Sequence, residues 1–226
     1  MKPPYDPNAA TIDEFVRHVG ARLASKSRLL DAGAGDSPYR KYFPHVNYVA
    51  VDFAATKYHE FGTLDAVSSL QALPFVDESF DAVLCTEVLE HVPDPEQVLR
   101  EFNRVLKPGG QVFVTVPQSW EVHEAPYDYF RYTSFGLKSL LTRAGFEVVS
   151  VEPRGGFFMM LAQRMRHVPL YFTSVPVMRT RVGRRALRII FMRMLVRMLT
   201  ALDRVDTLKI DTIGYACVAV KPLVSP

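Results

Sequence analysis

Short β-branched runs alternate with amphipathic stretches along the chain up to about residue 152. The runs are typical of strands, and the stretches between them have apolar positions at helical spacing. Together they predict strands at Arg28–Ala32, Asn47–Asp52, Asp65–Val67, Asp81–Cys85, Gln111–Val116 and Glu147–Glu152, a last strand at Thr212–Val220, and helices at Thr11–Ala24, Pro95–Leu106 and Ser134–Ala144. This alternation favours a parallel sheet flanked by helices.

The second predicted helix has a clear end signal. Val98, Phe102 and Val105 repeat at helical spacing on one face, and Lys107-Pro108-Gly109-Gly110 follows. Proline cannot extend a helix, and glycine accepts the positive φ of a C-terminal cap. We therefore expect the helix to stop there.

Composition excludes two classes of protein. With 48% hydrophobic and 23% charged residues, the chain is too apolar to be disordered and has too many scattered charges for a membrane bundle. Its longest stretch without Asp, Glu, Lys or Arg is Pro108–Trp120, shorter than the roughly 18 to 20 apolar residues of a spanning helix. Because Cys85 and Cys217 indicate no disulfide framework and the N-terminus lacks a signal-like apolar core, we expect a cytoplasmic protein.

Charge and methionine are unevenly distributed. Residues 160–209 carry eleven basic and two acidic side chains, a net charge of +9, whereas the remaining residues carry −6. Seven of the eight methionines lie between Met159 and Met198. The sequence thus predicts a domain made of residues 1–155 and 210–226, and an Arg/Met-rich helical insert at 156–209.

A Gly-x-Gly turn follows the first strand directly, in Leu29–Asp36. Glycines let a ligand approach the backbone, and ligands of open α/β sheets bind at the carboxyl ends of strands. Asp52 ends the next strand 21 residues after Asp31, near the spacing of about 20 at which a carboxylate binds ribose hydroxyls. A plain structural turn is the alternative. Pro38 replaces the third glycine of dinucleotide folds, which favours a zwitterionic nucleoside without a diphosphate.

These segments resemble the class I S-adenosylmethionine-dependent methyltransferases, specifically the small-molecule group called type 11. The resemblance covers Leu29 to Pro153 through LLDAGAG, YVAVDF, ALPFVDESFDAVLCTEVLEHVPDP and RVLKPGGQVFVTVP. It implies a Rossmann-like, doubly wound, mostly parallel seven-stranded sheet with helices on both faces and a helical insert before the last strand. It also implies an enzyme with S-adenosyl-L-methionine as its cofactor.

The resemblance implies the following cofactor contacts: Asp31, Gly33 and Gly35 for the methionine portion, Asp52 and Phe53 for the ribose and adenine, Thr86 and Glu87 beside the sulfonium, and Ser69 and Leu70 for the adenine edge. Members of the family often have an aspartate for the adenine amino group where this chain has Ser69-Leu70. Backbone groups and Ser69 would then contact the adenine.

The segment His123–Thr133 resembles the loop that carries the acceptor side of the site in many relatives. His123 can act as a general base near neutral pH, although a histidine in a polar loop more often makes a structural hydrogen bond. Tyr127, Tyr129 and Arg131 are candidate substrate contacts, with pairing of Arg131 and Asp128 as the alternative. His91 matches the family's Leu-Glu-His and either borders the site or packs. The spacing of histidines and cysteines indicates no required metal.

Three interpretations of the insert compete. It is a helical cap over the acceptor side of the pocket, a membrane-surface element using aromatic residues such as Phe157, Phe158 and Phe172 beside arginines, or, least favoured, a nucleic-acid contact without a recognised motif. The arginine pattern predicts a break near Ile189–Met192.

The sequence therefore predicts a methyltransferase that O-methylates a small or lipid-linked acceptor. It would be cytoplasmic, with peripheral contact at the inner membrane surface if the insert binds lipid. The alternatives are a catalytically silent cofactor-binding partner protein and an N-methyltransferase that acts by proximity. The oligomeric state stays open.

Overall fold

The predicted strands form one seven-stranded sheet in the order β3-β2-β1-β4-β5-β7-β6. The computed structural model describes residues 5–54, 63–171, 180 and 194–223. Its strands are β1 Arg28–Ala32, β2 Asn47–Asp52, β3 Ala66–Val67, β4 Phe80–Thr86, β5 Leu106–Pro117, β6 Glu147–Pro153 and β7 Gly214–Val220. Strands β1 to β5 pair in parallel, whereas β7 runs antiparallel to β5. The predicted mostly parallel sheet is confirmed.

Helices follow the strands as the alternating pattern predicts. They are α1 Pro7–Arg22, α2 Pro95–Val105, α3 Ser134–Arg143, α4 Phe157–Tyr171 and α5 Val196–Leu202. Two of them begin at residues that suit a helix start: Asp94 accepts a hydrogen bond from the Gln97 N–H at 3.0 Å, and Thr133 accepts one from the Gly136 N–H at 3.0 Å. Such caps satisfy backbone donors that have no partner within the helix.

The predicted glycine cap of α2 is wrong. The helix ends at Val105, and the residue after it, Leu106, is already extended and begins β5. Leu106 pairs with Phe80 of β4 next to a β-bulge. Pairing with β4 thus ends the helix at Val105, three positions before Pro108.

The interior lies on the sheet and is built from continuous apolar strands. Leu29 and Leu30 of β1 and Val83 and Leu84 of β4 are fully buried. Strands covered on both faces need such continuous apolar runs. The apolar face of α2 contributes Phe102, which is buried in the same core.

The chain divides into two compact units. One contains Asp13–Glu152 and the residues from Gly214 onward; the other contains the residues up to Ile12 and Pro153–Ile213. In the second unit α5 packs against α4 through Ala162, Val196 and Leu199. The predicted helix break near Ile189–Met192 lies outside the described residues.

Candidate cofactor and acceptor site

A cavity of about 480 Å³ opens where β1, β2 and β4 end. Its lining brings together residues from five separate sequence segments. Among the predicted site residues it includes Asp31, Gly33, Gly35, Asp52, Phe53, Ser69, Leu70, Thr86, Glu87, His91, His123, Tyr127 and Tyr129. The cavity has the volume of a small-molecule site.

The Gly-x-Gly turn needs its glycines for two different reasons. Gly33 has a φ of +82°, and a Cβ there would overlap the Val88 side chain. Gly35 has a φ of +53°, but a Cβ there would meet only open space. The N–H groups of Gly33 and Ala34 donate to the Val51 carbonyl oxygen at 2.8 and 3.0 Å. The turn is thereby fixed on β2 and leaves Gly35 bare beside the cavity.

Asp52 presents a carboxylate held by backbone donors. Its Oδ2 accepts from the Gly35 N–H and its Oδ1 from the Ala54 N–H, both at 2.9 Å. Each carboxylate oxygen has a second lone pair that can accept a ligand hydroxyl. Phe53 follows with 56% of its surface exposed, an apolar face that suits a base. The chemistry of this pair fits a ribose and an adenine ring.

Asp31 supplies the buried acid of the site. It is almost fully buried and accepts a hydrogen bond from the Tyr48 hydroxyl. Burial raises its pKa to about 7, and the Tyr48 hydrogen bond and the nearby Arg40 offset only part of that effect. A ligand cation in the cavity would favour the ionised form. The zwitterionic portion of S-adenosylmethionine provides such a cation.

The part of the cavity around Ser69 and Leu70 has an amide that sequence reasoning missed. The Ser69 hydroxyl oxygen accepts from the Gln71 N–H at 3.2 Å, and Leu70 is buried. Gln71 also lines the cavity. Its amide carries a donor and an acceptor, so it can substitute for the aspartate that the family often has. The sequence signal that could have indicated this contact was the polar residue Gln71, two positions after Ser69.

The acceptor loop is built around Arg131. Its guanidinium donates to both carboxylate oxygens of Asp128 at 2.6 and 2.9 Å, and to the carbonyl oxygens of Trp120 and Glu121 at 3.2 and 2.7 Å. Arg131 lies outside the cavity lining, and these hydrogen bonds favour the predicted alternative, in which Arg131 pairs with Asp128 and anchors the loop. The hydrogen bonds from Arg131 to the Asp128 carboxylate lower the pKa of Asp128 to about 2.

Two histidines that line this end of the cavity pack edge to face against each other. The rings of His91 and His123 are 4.7 Å apart. The Nδ1 of His123 lies 3.2 Å from the Glu121 carbonyl oxygen and 3.4 Å from Asp128 Oδ2; the Nδ1 of His91 lies 2.6 Å from the Tyr127 carbonyl oxygen. Because the neighbours of Nδ1 are acceptors, we assign its proton to Nδ1 in both rings. Each Nε2 then keeps a lone pair.

The structure also brings together three groups that can ligate a metal ion. Glu90, His91 and His123 each offer one ligand atom, and these atoms lie within 4.8 Å of one another. Carboxylate and imidazole ligands suit a divalent transition metal. His91 and His123 are 32 positions apart, so sequence spacing did not reveal the group. The expectation of no required metal stays a prediction.

Comparison with known proteins agrees with this geometry. Residues 30–114 match a family described as a methyltransferase domain. Over these residues the match confirms the resemblance to the class I S-adenosylmethionine-dependent methyltransferases and, with it, the expected cofactor.

Over 127 residues the chain is 34% identical to the ubiquinone biosynthesis O-methyltransferase of Pseudomonas aeruginosa (strain UCBPP-PA14). The alignment covers 51% of this chain and 53% of that protein. The chain thus spans about half the length of the curated relatives it matches.

Solved structures show the same fold. The [4+2]-cyclase SpnF has a TM-score of 0.60 at 19% identity, covering 94% of this chain and 81% of its own. The 1,6-didemethyltoxoflavin-N1-methyltransferase of Burkholderia thailandensis, solved with S-adenosylhomocysteine, has a TM-score of 0.59 at 17% identity, covering 94% and 79%. Among the described residues of this chain, no helix is long and apolar enough to cross a bilayer.

Proposed function

We propose that this protein transfers a methyl group from S-adenosylmethionine to a hydroxyl oxygen of a small or lipid-linked acceptor. One observation carries the proposal: His123 lines the same cavity as the nucleoside-binding group Asp52. Methyl transfer to oxygen requires a base and a cofactor site in the same cavity, because a neutral hydroxyl must lose its proton as its oxygen gains the methyl group.

The cofactor end of the cavity would hold S-adenosylmethionine through the residues already described. Asp52 would bind the ribose, Phe53 and Gln71 the adenine, and Asp31 the amino group. Bound there, the cofactor supplies a methyl group on a sulfonium sulfur, whose departure as a neutral thioether needs no further activation. The chain's main tasks are then to align the acceptor and to accept its proton.

His123 would accept that proton at Nε2. Asp128 Oδ2 lies 3.4 Å from the Nδ1 of His123 and is ionised at neutral pH because its pKa is about 2. A carboxylate at this position orients the ring and stabilises the imidazolium that forms. Tyr127 and Tyr129 line the cavity beside His123 and would form the wall against which an acceptor ring stacks.

The name of the Pseudomonas relative supports an oxygen acceptor. An aromatic hydroxyl with an apolar tail fits both that name and the tyrosine wall. We therefore place a lipid-linked phenol first among the acceptor classes.

Two alternatives have their own support. A fold this similar is shared with a [4+2]-cyclase, so the fold by itself does not require methyl transfer, and a silent cofactor-binding protein stays an alternative. An N-methyltransferase that acts by proximity would need no base.

The deciding experiment supplies labelled S-adenosylmethionine together with phenols and amines, each with and without a prenyl tail. Transfer to a phenol supports the proposal, and transfer only to an amine overturns the oxygen assignment. Calorimetric titration with S-adenosylhomocysteine runs in parallel. Binding without transfer to these acceptors or to any component of a cell extract would favour the silent protein, and no binding at millimolar ligand would contradict the cofactor assignment.

A further inference from the structure

An apolar stripe runs along the exposed side of α5 and of the turns just before and after it. Met194, Met198, Leu202 and Val205 are exposed and follow one another at i, i+4, i+8 and i+11. At about 100° per residue, these positions lie on one side of a helix. Exposed apolar residues in such a row mark a binding surface more often than residues scattered singly.

The opposite side of this helix fixes its orientation. Val196 and Leu199 are buried against Ala162 of α4. Asp203, buried just after α5, accepts hydrogen bonds from the N–H groups of Gly156 and Met159 at 2.7 to 3.1 Å. The apolar stripe therefore cannot turn inward without loss of these contacts.

The loop after α5 carries two further exposed apolar side chains. Leu208 and Ile210 are 77% and 72% exposed. Asp206 holds the loop: its Oδ1 accepts from the N–H groups of Leu208 and Lys209, and its Oδ2 from the N–H of Phe157 at 2.7 Å. Hydrogen bonds to the backbone thus fix the loop while its apolar side chains stay outside. The four stripe residues with Leu208 and Ile210 are called the apolar face below.

Basic residues border the apolar face. Arg197 and Arg204 are exposed, and helical geometry places them on one edge of the stripe, about 60° to 80° from its nearest apolar positions. Lys209 is exposed between Leu208 and Ile210. The nearby Asp206 accepts hydrogen bonds from backbone N–H groups, and Asp211 is an exposed carboxylate at the end of the loop. The whole segment 160–209 carries +9.

We propose that the apolar face docks on the surface of a bilayer that contains anionic phospholipids. A bilayer suits it because the apolar side chains can enter the acyl boundary while the bordering cations contact lipid phosphates. Of the aromatic residues that the sequence favoured, Phe157 is exposed, Phe158 packs against the interior of its own unit, and Phe172 lies outside the described residues. The charge excess favours an anionic lipid over a neutral protein groove.

The test is co-sedimentation with vesicles of phosphatidylcholine alone or with 30% phosphatidylglycerol, at low and high salt. We expect binding to the anionic vesicles and its loss as salt rises. Leu208→Ser with Ile210→Ser should weaken partitioning about tenfold or more. Arg197→Gln with Arg204→Gln should weaken it by about fivefold per arginine at low salt.

The matched control is Val76→Ser with Val149→Ser, since these valines are 75% and 64% exposed on the other unit. This pair should leave partitioning unchanged, and melting curves check that all variants fold. The proposal is overturned if the parent never sediments with anionic vesicles, or if the Leu208 and Ile210 changes leave binding intact. It is also overturned if those changes instead abolish self-association in sedimentation velocity without lipid, because the face would then bind another copy of the chain.

Discussion

The two ends of the cavity are built by different means. At the nucleoside end, Gly33, Gly35 and Asp52 are held by backbone hydrogen bonds at the ends of adjacent parallel strands. At the end proposed to hold the acceptor, the side chain of Arg131 contacts Asp128 and the carbonyl oxygens of Trp120, Glu121 and Phe130. The first is fixed directly on the sheet. The second adds a side-chain network around Arg131 to a few backbone hydrogen bonds, which run from Tyr129 and Tyr132 to the carbonyl oxygens of Glu90 and Pro117.

This difference implies that binding and turnover are separable by mutation. Changes at the strand ends should weaken cofactor binding, and changes in the loop should lower turnover with the cofactor still bound. It also indicates where acceptor specificity can vary, because a loop held by side chains can change without disturbing the sheet.

The largest expected effect is on turnover. His123→Ala should lower kcat by about 10²- to 10⁴-fold, the usual cost of losing a general base, with S-adenosylhomocysteine affinity within a few-fold of the parent. Steady-state kinetics and calorimetry measure the two quantities, and the exposed His18→Ala serves as the control. If the turnover of His123→Ala stays within a few-fold of the parent, His123 is not the base. If a divalent metal restores the turnover of the variant and a chelator abolishes it again, Glu90, His91 and His123 are metal ligands.

The second effect tests the nucleoside end. Asp52→Ala should weaken S-adenosylhomocysteine binding by roughly 10- to 100-fold, because it removes charged hydrogen bonds worth about 1.5 to 3 kcal/mol each. Titration calorimetry gives the Kd. Glu147→Ala, an exposed carboxylate at the start of β6, should leave it unchanged. Unaltered affinity in Asp52→Ala would mean that the nucleoside lies elsewhere.

A smaller effect is expected from the loop anchor. Arg131→Lys removes the bidentate contact with Asp128 and should lower kcat/KM about tenfold while cofactor affinity stays unchanged. Arg143→Lys, at the exposed pair with Glu96, is the matched control. If Arg131→Lys lowered cofactor affinity and turnover equally, cofactor binding and turnover would not be separable as proposed.

The same anchor has a pH signature. The pKa of Asp128 is about 2 in the folded chain against 3.8 ordinarily, so its stabilisation is complete above pH 4 and is lost as pH falls toward 2. The difference corresponds to about 2 kcal/mol. Urea unfolding between pH 3 and 7 should show it in the parent and less of it in Arg131→Lys.

The smallest expected effect is a gain in the stability of the folded chain rather than a loss. Asp31 has a raised pKa of about 7, so its ionised form destabilises the folded chain. This loss of stability grows as pH rises from about 4 to about 7. Asp31→Asn should therefore stabilise the free protein by about 1 kcal/mol or more at pH 8, less at pH 5, while weakening cofactor binding. Thermal unfolding at both pH values measures it. A variant that is less stable at pH 8 would contradict the assignment of a buried acid kept for a cationic ligand.

The sequence by itself determined the strands, the glycine turn and the carboxylate pair Asp31 and Asp52. These features are local: continuous apolar runs have few ways to be buried, and a positive φ requires glycine or strain. Element ends were less well determined, as at Leu106, where pairing with β4 competes with the helix signal.

Only the tertiary structure decided which distant groups meet. It placed His91 beside His123 and turned Arg131 into the loop rather than the cavity. It also directed Phe158 inward and left the apolar face of α5 outside. The physical reason is the same in each case: a polar side chain selects among several acceptors and a helix buries one of its faces, and both outcomes depend on neighbours brought close by the fold rather than by the order of residues.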